Sequence, residues 1–177
     1  MGLIDSVAQI LAIDEATVNQ IADKAPSYYR TYRIPKRNRS GFRTIYHPAK
    51  QTKALQYAII TTLLSNLLIS KIAYAYKYGL KSPLKENASQ HSKYKYSLHI
   101  DFKDFFPSIK PKDLFKSLSK NDIILNEPEK VFLQNALFIR RKGIFELSIG
   151  APSSPIISNI IMYDFDNEII RIAKSLD

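Results

Sequence analysis

Leu98, Ile100 and Phe102 alternate along the chain and run directly into Lys103-Asp104-Phe105-Phe106-Pro107, and no other segment constrains the fold as strongly. Alternation of this kind predicts a strand with one apolar face, ended where Pro107 turns the chain. Such a strand would deliver Asp101 to its end, with Asp104 three residues on. A rigidly held carboxylate is what a divalent cation needs, because Mg²⁺ takes oxygen ligands at short range and is usually held by one or two carboxylates plus substrate phosphates. Phe105 and Phe106 would place a flat apolar wall beside that carboxylate, against which a sugar could rest. An Asp-x-x-Asp pair alone is equally a strand ending in a polar turn, so the rest of the chain has to decide.

Charge distribution gives the second constraint. The 177 residues carry a net charge of +10, and between Asp23 and Glu86 thirteen Lys and Arg occur without one acidic residue. Nine of them lie between Lys24 and Lys53, interleaved with Tyr28, Tyr29, Tyr32, Phe42 and Tyr46. A solvated face normally mixes both signs; a one-signed stretch with aromatic stacking surfaces matches a phosphate backbone. A hydrophobic fraction of 45% excludes wholesale disorder, and the absence of cysteine excludes disulfide frameworks and thiolate metal sites. The first residues lack a basic segment followed by an apolar run, which argues against a secretory signal and for a cytoplasmic protein. The apolar stretch from Ala54 to Ile72 is interrupted by Gln56, Thr61, Thr62, Ser65 and Asn66 and reads as a buried helix, with no membrane contact expected.

The periodicities predict an α+β architecture of helices around a small antiparallel sheet. Residues 3–22 read as short helices, Leu3, Val7, Ile10 and Leu11 sharing a face and Asp14 capping a second unit. Tyr28–Ile34 and Phe42–Tyr46 read as the arms of a β-hairpin whose tip is basic. A helix is expected over 51–68, a loop-rich segment over 74–96, helices from Pro111 and over 128–138, and a short strand over 145–149. Ser154 would cap, and Pro155 open, one last helix carrying Ile156, Ile160, Phe165 and Ile169.

Several segments, taken in order, resemble reverse transcriptases. Arg30-Thr31-Tyr32-Arg33-Ile34-Pro35-Lys36, Arg43-Thr44-Ile45-Tyr46-His47-Pro48 and Lys53-Ala54-Leu55-Gln56 are similar to the fingers of that family. Ile100 to Ser108 looks like its first palm motif, and Leu147-Ser148-Ile149-Gly150-Ala151-Pro152-Ser153-Ser154-Pro155 like the next. Asn87-Ala88-Ser89-Gln90-His91 matches the Asn-Ala-x-x-His element of the bacterial retron branch. The resemblance implies a right-hand polymerase divided into an N-terminal helical segment (1–26), fingers with a basic hairpin (27–97) and a partial palm (98–177).

By that resemblance Asp101 and the carbonyl of Phe102 are metal ligands, in a site where two Mg²⁺ would serve nucleotidyl transfer. Phe106 stands where the family places an aromatic gate against a 2′-hydroxyl, with Phe105 beside it. Asp104 shapes the turn that meets the triphosphate. Lys36 and Arg43 would sit over that triphosphate, and Gly150 would allow close backbone approach. Arg30, Arg33, Arg37 and Lys53 would contact RNA backbone, and Asn87 and His91 would read a retron's structured RNA.

The implied activity is copying of a structured non-coding RNA into RNA-linked DNA from dNTPs, in anti-phage defence beside an effector protein. Ile149 stands where the family usually has glutamine and Ser148 where it has proline, so that glutamine's polar contacts are missing. The Tyr-x-Asp-Asp motif is not in the sequence. Tyr163-Asp164-Phe165-Asp166 has the wrong spacing for it and falls in a helical stretch, so the 177 residues alone are expected to be inactive. Two other readings remain: a reverse transcriptase of group II intron or abortive-infection type, and a non-catalytic RNA-binding module that kept the basic fingers.

Overall fold

The computed structural model describes residues 2–36, 41–75 and 82–175. Helix α1 (Leu3–Leu11) buries Val7 and Ala8 and leaves Ile10 exposed, so the buried stripe is narrower than the periodicity implied. Ala12 ends it in the left-handed region, and Asp14 caps α2 (Glu15–Lys24) by accepting from the Thr17 amide at 2.8 Å. Strands β1 (Tyr29–Pro35) and β2 (Phe42–Pro48) pair antiparallel, with Tyr29 opposite Pro48 and Pro35 opposite Phe42. Most of this ribbon is exposed; only its base at Pro48 is buried.

Helix α3 (Lys50–Thr62) is the central element, burying Leu55, Gln56, Ala58, Ile59 and Ile60. It stops six residues short of the expected end at Leu68, and a 3₁₀ turn over Leu64–Asn66 follows. Thr61 and Thr62 turn their hydroxyls back onto the carbonyls of Tyr57 (3.1 Å) and Ala58 (2.9 Å), a competition that weakens a helix end. Helix α4 (Pro83–His91) occupies what was expected to be loop, with Pro83 at its start and no buried residue.

The expected strand over Leu98–Phe102 does not form. Among the described residues the segment pairs with nothing, and Leu98 (85% exposed) and Ile100 (60%) stand in solvent. Alternation states a preference only; a strand exists through its ladder, and without a partner the backbone is better solvated. Asp104 then adopts φ 50° and starts the four-residue helix α5 (Phe105–Ser108). Helices α6 (Pro111–Lys120) and α7 (Glu127–Leu137) follow. Strands β3 (Ile139–Arg141) and β4 (Ile144–Glu146) form a second ribbon, joined by Lys142 and Gly143, both at positive φ, as a two-residue hairpin turn requires. The strand thus ends at Glu146 instead of continuing to Ile149.

The last helix is two. Helix α8 (Ser153–Ile161) begins after Pro152, which holds the cap position assigned in sequence to Ser154, and α9 (Tyr163–Lys174) follows Met162. One apolar cluster includes Val7 and Val18 of α1 and α2, Leu55 and Ile59 of α3, Leu114 and Leu118 of α6, Leu133 and Leu137 of α7, and Ile157 of α8. The architecture is α+β: among the described residues, packed helices accompany two separate two-stranded antiparallel ribbons, instead of surrounding one sheet.

Candidate functional site

Four aromatic rings make a continuous row beside Asp101. Phe165 of α9 meets Phe102 edge-on at 5.5 Å, Phe102 stacks on Phe105 at 5.7 Å, and Phe105 meets Phe106 at 5.7 Å. Asp101 itself is exposed, at the end of the unpaired segment. The left-handed turn at Asp104 reverses the chain so that Phe105 and Phe106 both reach the apolar cluster, half-buried. That conformation costs a non-glycine residue roughly 1 kcal/mol, which aspartate tolerates better than most.

Phe106 is one wall of a cavity of about 300 Å³. Lys53 and Tyr57, one turn apart on α3, form a second wall, and the segment from Ser148 to Pro155 closes the third side. Tyr57 was not foreseen from the sequence; its place one turn after Lys53 on a helix was the available signal. Ser154 also lines the cavity, and its buried hydroxyl has no hydrogen-bond partner among the described residues.

Gly150 explains how that third side is held. It has φ 121°, and a Cβ there would lie 2.8 Å from Cγ2 of Ile45 and 2.9 Å from the carbonyl oxygen of Tyr46. The close approach that glycine permits is therefore to β2. Next to it, the Tyr46 amide donates to the Ile149 carbonyl at 2.8 Å, so the loop occupies the open edge of the ribbon. Ile149 makes this bond with its backbone, and its departure from the usual glutamine leaves the bond intact.

Lys36 and Arg43 are exposed on the ribbon, close to its tip. The Lys36 amide bonds the Gly41 carbonyl at 3.0 Å, and Arg43 lies opposite Ile34. Residues directly opposite share a face, which places Arg30, Ile34 and Arg43 on one side and Arg33 on the other. Arg37 lies outside the described residues. Asn87 and His91 are exposed and one turn apart on α4, not in a loop; neither is among the cavity's lining residues.

Carboxylate and carbonyl oxygens at Asp101 and Phe102 suit a hard divalent cation in kind. Among the described residues, however, no group of three Asp, Glu or His converges to complete such a site. The acids of Tyr163-Asp164-Phe165-Asp166 sit on α9: Asp164 pairs with Lys120, and partial burial raises the Asp166 carboxyl from its ordinary value.

Residues 34–175 match the family described as Reverse transcriptase (RNA-dependent DNA polymerase). The retron Ec83 reverse transcriptase of Escherichia coli is 37% identical over 158 residues, covering 87% of this chain and 50% of the relative. The retron Ec73 reverse transcriptase of Escherichia coli is 34% identical over 159 residues, 87% of this chain and 49% of the relative. The retron Mx65 reverse transcriptase of Myxococcus xanthus is 29% identical over 159 residues, 83% of this chain and 36% of the relative. The chain thus spans about half the length of the Escherichia coli relatives it matches.

Proposed function

The chain belongs to the reverse transcriptase family, and on that premise we propose that the protein it comes from is the RNA-directed DNA polymerase of a retron. One observation carries the reading: Phe106, Lys53 and the Ser148–Pro155 segment, remote in sequence, enclose a single cavity. The Gly150 end of that segment is locked onto the ribbon that bears Lys36 and Arg43. An incoming dNTP would lie there with its sugar against Phe106 and Phe105. Its triphosphate would be neutralised by Lys36 and by Arg43, whose guanidinium fork matches phosphate oxygens. A ring beside C2′ leaves no room for a ribose hydroxyl, which favours deoxynucleotides. Asp104 would act through the turn it shapes.

Asp101 and the Phe102 carbonyl would hold Mg²⁺, which when bound supplies Lewis-acid stabilisation of charge developing on phosphate. The described residues do not complete that ligand set, so the 177 residues would not polymerise alone. Arg30, Arg37 and Lys53 would follow the RNA backbone, whereas Arg33, which the family resemblance also put there, lies on the opposite face of the ribbon. Asn87 and His91, on one face of α4, would contact the structured non-coding RNA that serves as template and primer. Residues 1–26, 27–97 and 98–177 would correspond to a helical lead, the fingers and part of the palm. A role in anti-phage defence with an effector protein, in the cytoplasm, accords with the retron relationship. No helix among the described residues is long and apolar enough to cross a membrane.

The test is primer extension with the full reading frame that encodes this chain, the adjacent non-coding RNA, dNTPs and Mg²⁺. Asp101→Asn is expected to lower synthesis by about a hundredfold or more, since metal stabilisation of transferred charge contributes several kcal/mol. Absence of synthesis by the unaltered protein, with tight RNA binding insensitive to Asp101→Asn, would replace this reading with a non-catalytic RNA-binding module.

A further inference from the structure

The β3–β4 ribbon lies beside both the helix that bears Phe106 and the β1–β2 ribbon, and one carboxylate in it is linked to each through a neighbouring cation. Glu146 pairs diagonally with Arg141 across the Lys142–Gly143 turn, Oε1 accepting from Nη1 at 2.6 Å. Its Oε2 lies 3.4 Å from Nζ of Lys110, which also donates to the Pro107 carbonyl at 2.6 Å. The Glu146 side chain is only 13% exposed, so this pairing is little screened by solvent. On the far side, the Arg141 guanidinium stands 4.6 Å over the ring of Tyr46 on β2. An unbroken chain of contacts therefore runs from the helix that bears Phe106, through Lys110, Glu146 and Arg141, to the ribbon that bears Arg43.

We propose that Glu146 is a positioning residue that sets the separation between the basic β1–β2 ribbon and the sugar-facing Phe106. It thereby tunes nucleotide capture and sugar discrimination without touching nucleotide. The inference rests on the polymerase reading above. Its physical content is the rigidity of the link. The two-residue turn fixes Arg141 relative to Glu146, and cation–π contact with a stationary guanidinium fixes Tyr46. Replacing the carboxylate leaves two neighbouring cations uncompensated and frees Arg141 to leave the ring. The ribbon, most of which has no other cover, would then sample more orientations about the junction at Ile149.

The experiment compares the full-length protein with Glu146→Gln and, because that change leaves two cations unpaired at a mostly buried site, with Arg141→Met, which keeps the Glu146–Lys110 pair in place. Two readouts are taken: hydrogen exchange of the Arg43–Tyr46 amides, and steady-state incorporation of a dNTP and the matching rNTP. Both variants are expected to speed exchange in β2 and to raise KM for dNTP about three- to thirtyfold with kcat nearly unchanged, the span typical of coupling through packed networks. Preference for dNTP over rNTP should shift in both. Unchanged exchange in β2 would overturn the link whatever the activity. Faster exchange with KM and sugar preference unchanged would make Glu146 structural only and overturn the proposal. If the unaltered protein exchanges slowly in β2 but incorporates nothing, the polymerase reading fails first and this inference with it.

Discussion

Gln56 ties three distant parts of the chain together through one side-chain amide, with Tyr29 at one end. Gln56, fully buried on α3, donates from Nε2 to the Tyr29 hydroxyl at 3.2 Å and to the Ala136 carbonyl on α7 at 2.9 Å. Burial pushes the Tyr29 phenol up to about 12, an effect that the hydrogen bond from Gln56 partly opposes. The neutral phenol is the form the fold accepts. Its contribution is complete below pH 10, where the unfolded chain's tyrosine begins to ionise, and is lost as pH rises to about 12. The loss is on the order of 2 kcal/mol. Denaturant midpoints measured from pH 8 to 12 for the intact protein and Tyr29→Phe should favour the intact protein by about 1 kcal/mol at pH 8, where the variant forfeits a hydrogen bond, and cross between pH 10 and 12, leaving the variant the more stable at pH 12. Parallel curves would show that Tyr29 ionises freely in the fold. At this scale the sequence marked the residue types that furnish the cavity, Phe106 and Gly150 among them. It did not reveal why Gly150 is glycine, because the obstructing atoms belong to Ile45 and Tyr46, about a hundred positions away.

Among the elements, α7 is the clearest case of a helix written into its own start. Asn126 accepts from the Glu129 amide at 2.9 Å, and Glu129 accepts in return from the Asn126 amide at 3.0 Å. Asn126→Ala should therefore cost about 1 kcal/mol in denaturant unfolding, and a loss below a few tenths would mean that packing of Phe132 and Leu133 alone holds the helix. Local chemistry of this kind made α2 and α7, and the start of α6 at Pro111, legible within a residue or two. Elements whose existence depends on distant partners were not. Leu98–Phe102 has strand periodicity and no ladder among the described residues, whereas β3 has a ladder but at three residues is too short to display a period. Lys142-Gly143 was the overlooked clue, since adjacent residues at positive φ suit a two-residue hairpin turn. The division at Met162 left no such clue, because Met162 itself keeps helical dihedral angles.

Over the whole molecule, a net charge of +10 makes any RNA complex salt-sensitive, but the sum does not say where the RNA runs. The strand register narrows that choice. Arg30 shares a ribbon face with Ile34 and Arg43, while Arg33 lies on the opposite face with Thr31 and Tyr46, where Arg141 already sits over the Tyr46 ring. The Arg141 side chain covers that face at Tyr46 and takes up space a strand would need, whereas the other face carries two exposed arginines, Arg30 and Arg43, and is the better RNA track. An RNA strand lying along it would release counterions at Arg30 and not at Arg33. Binding measured in the full-length protein against salt should then lose about 0.7 from its log–log slope in Arg30→Gln, the increment for one phosphate contact on a single strand. Arg33→Gln should leave the slope unchanged. A slope lowered equally by both would mean that RNA wraps the ribbon, and a slope lowered only by Arg33→Gln would place the RNA on the Arg141 side, where the link through Glu146 would have to yield to admit it.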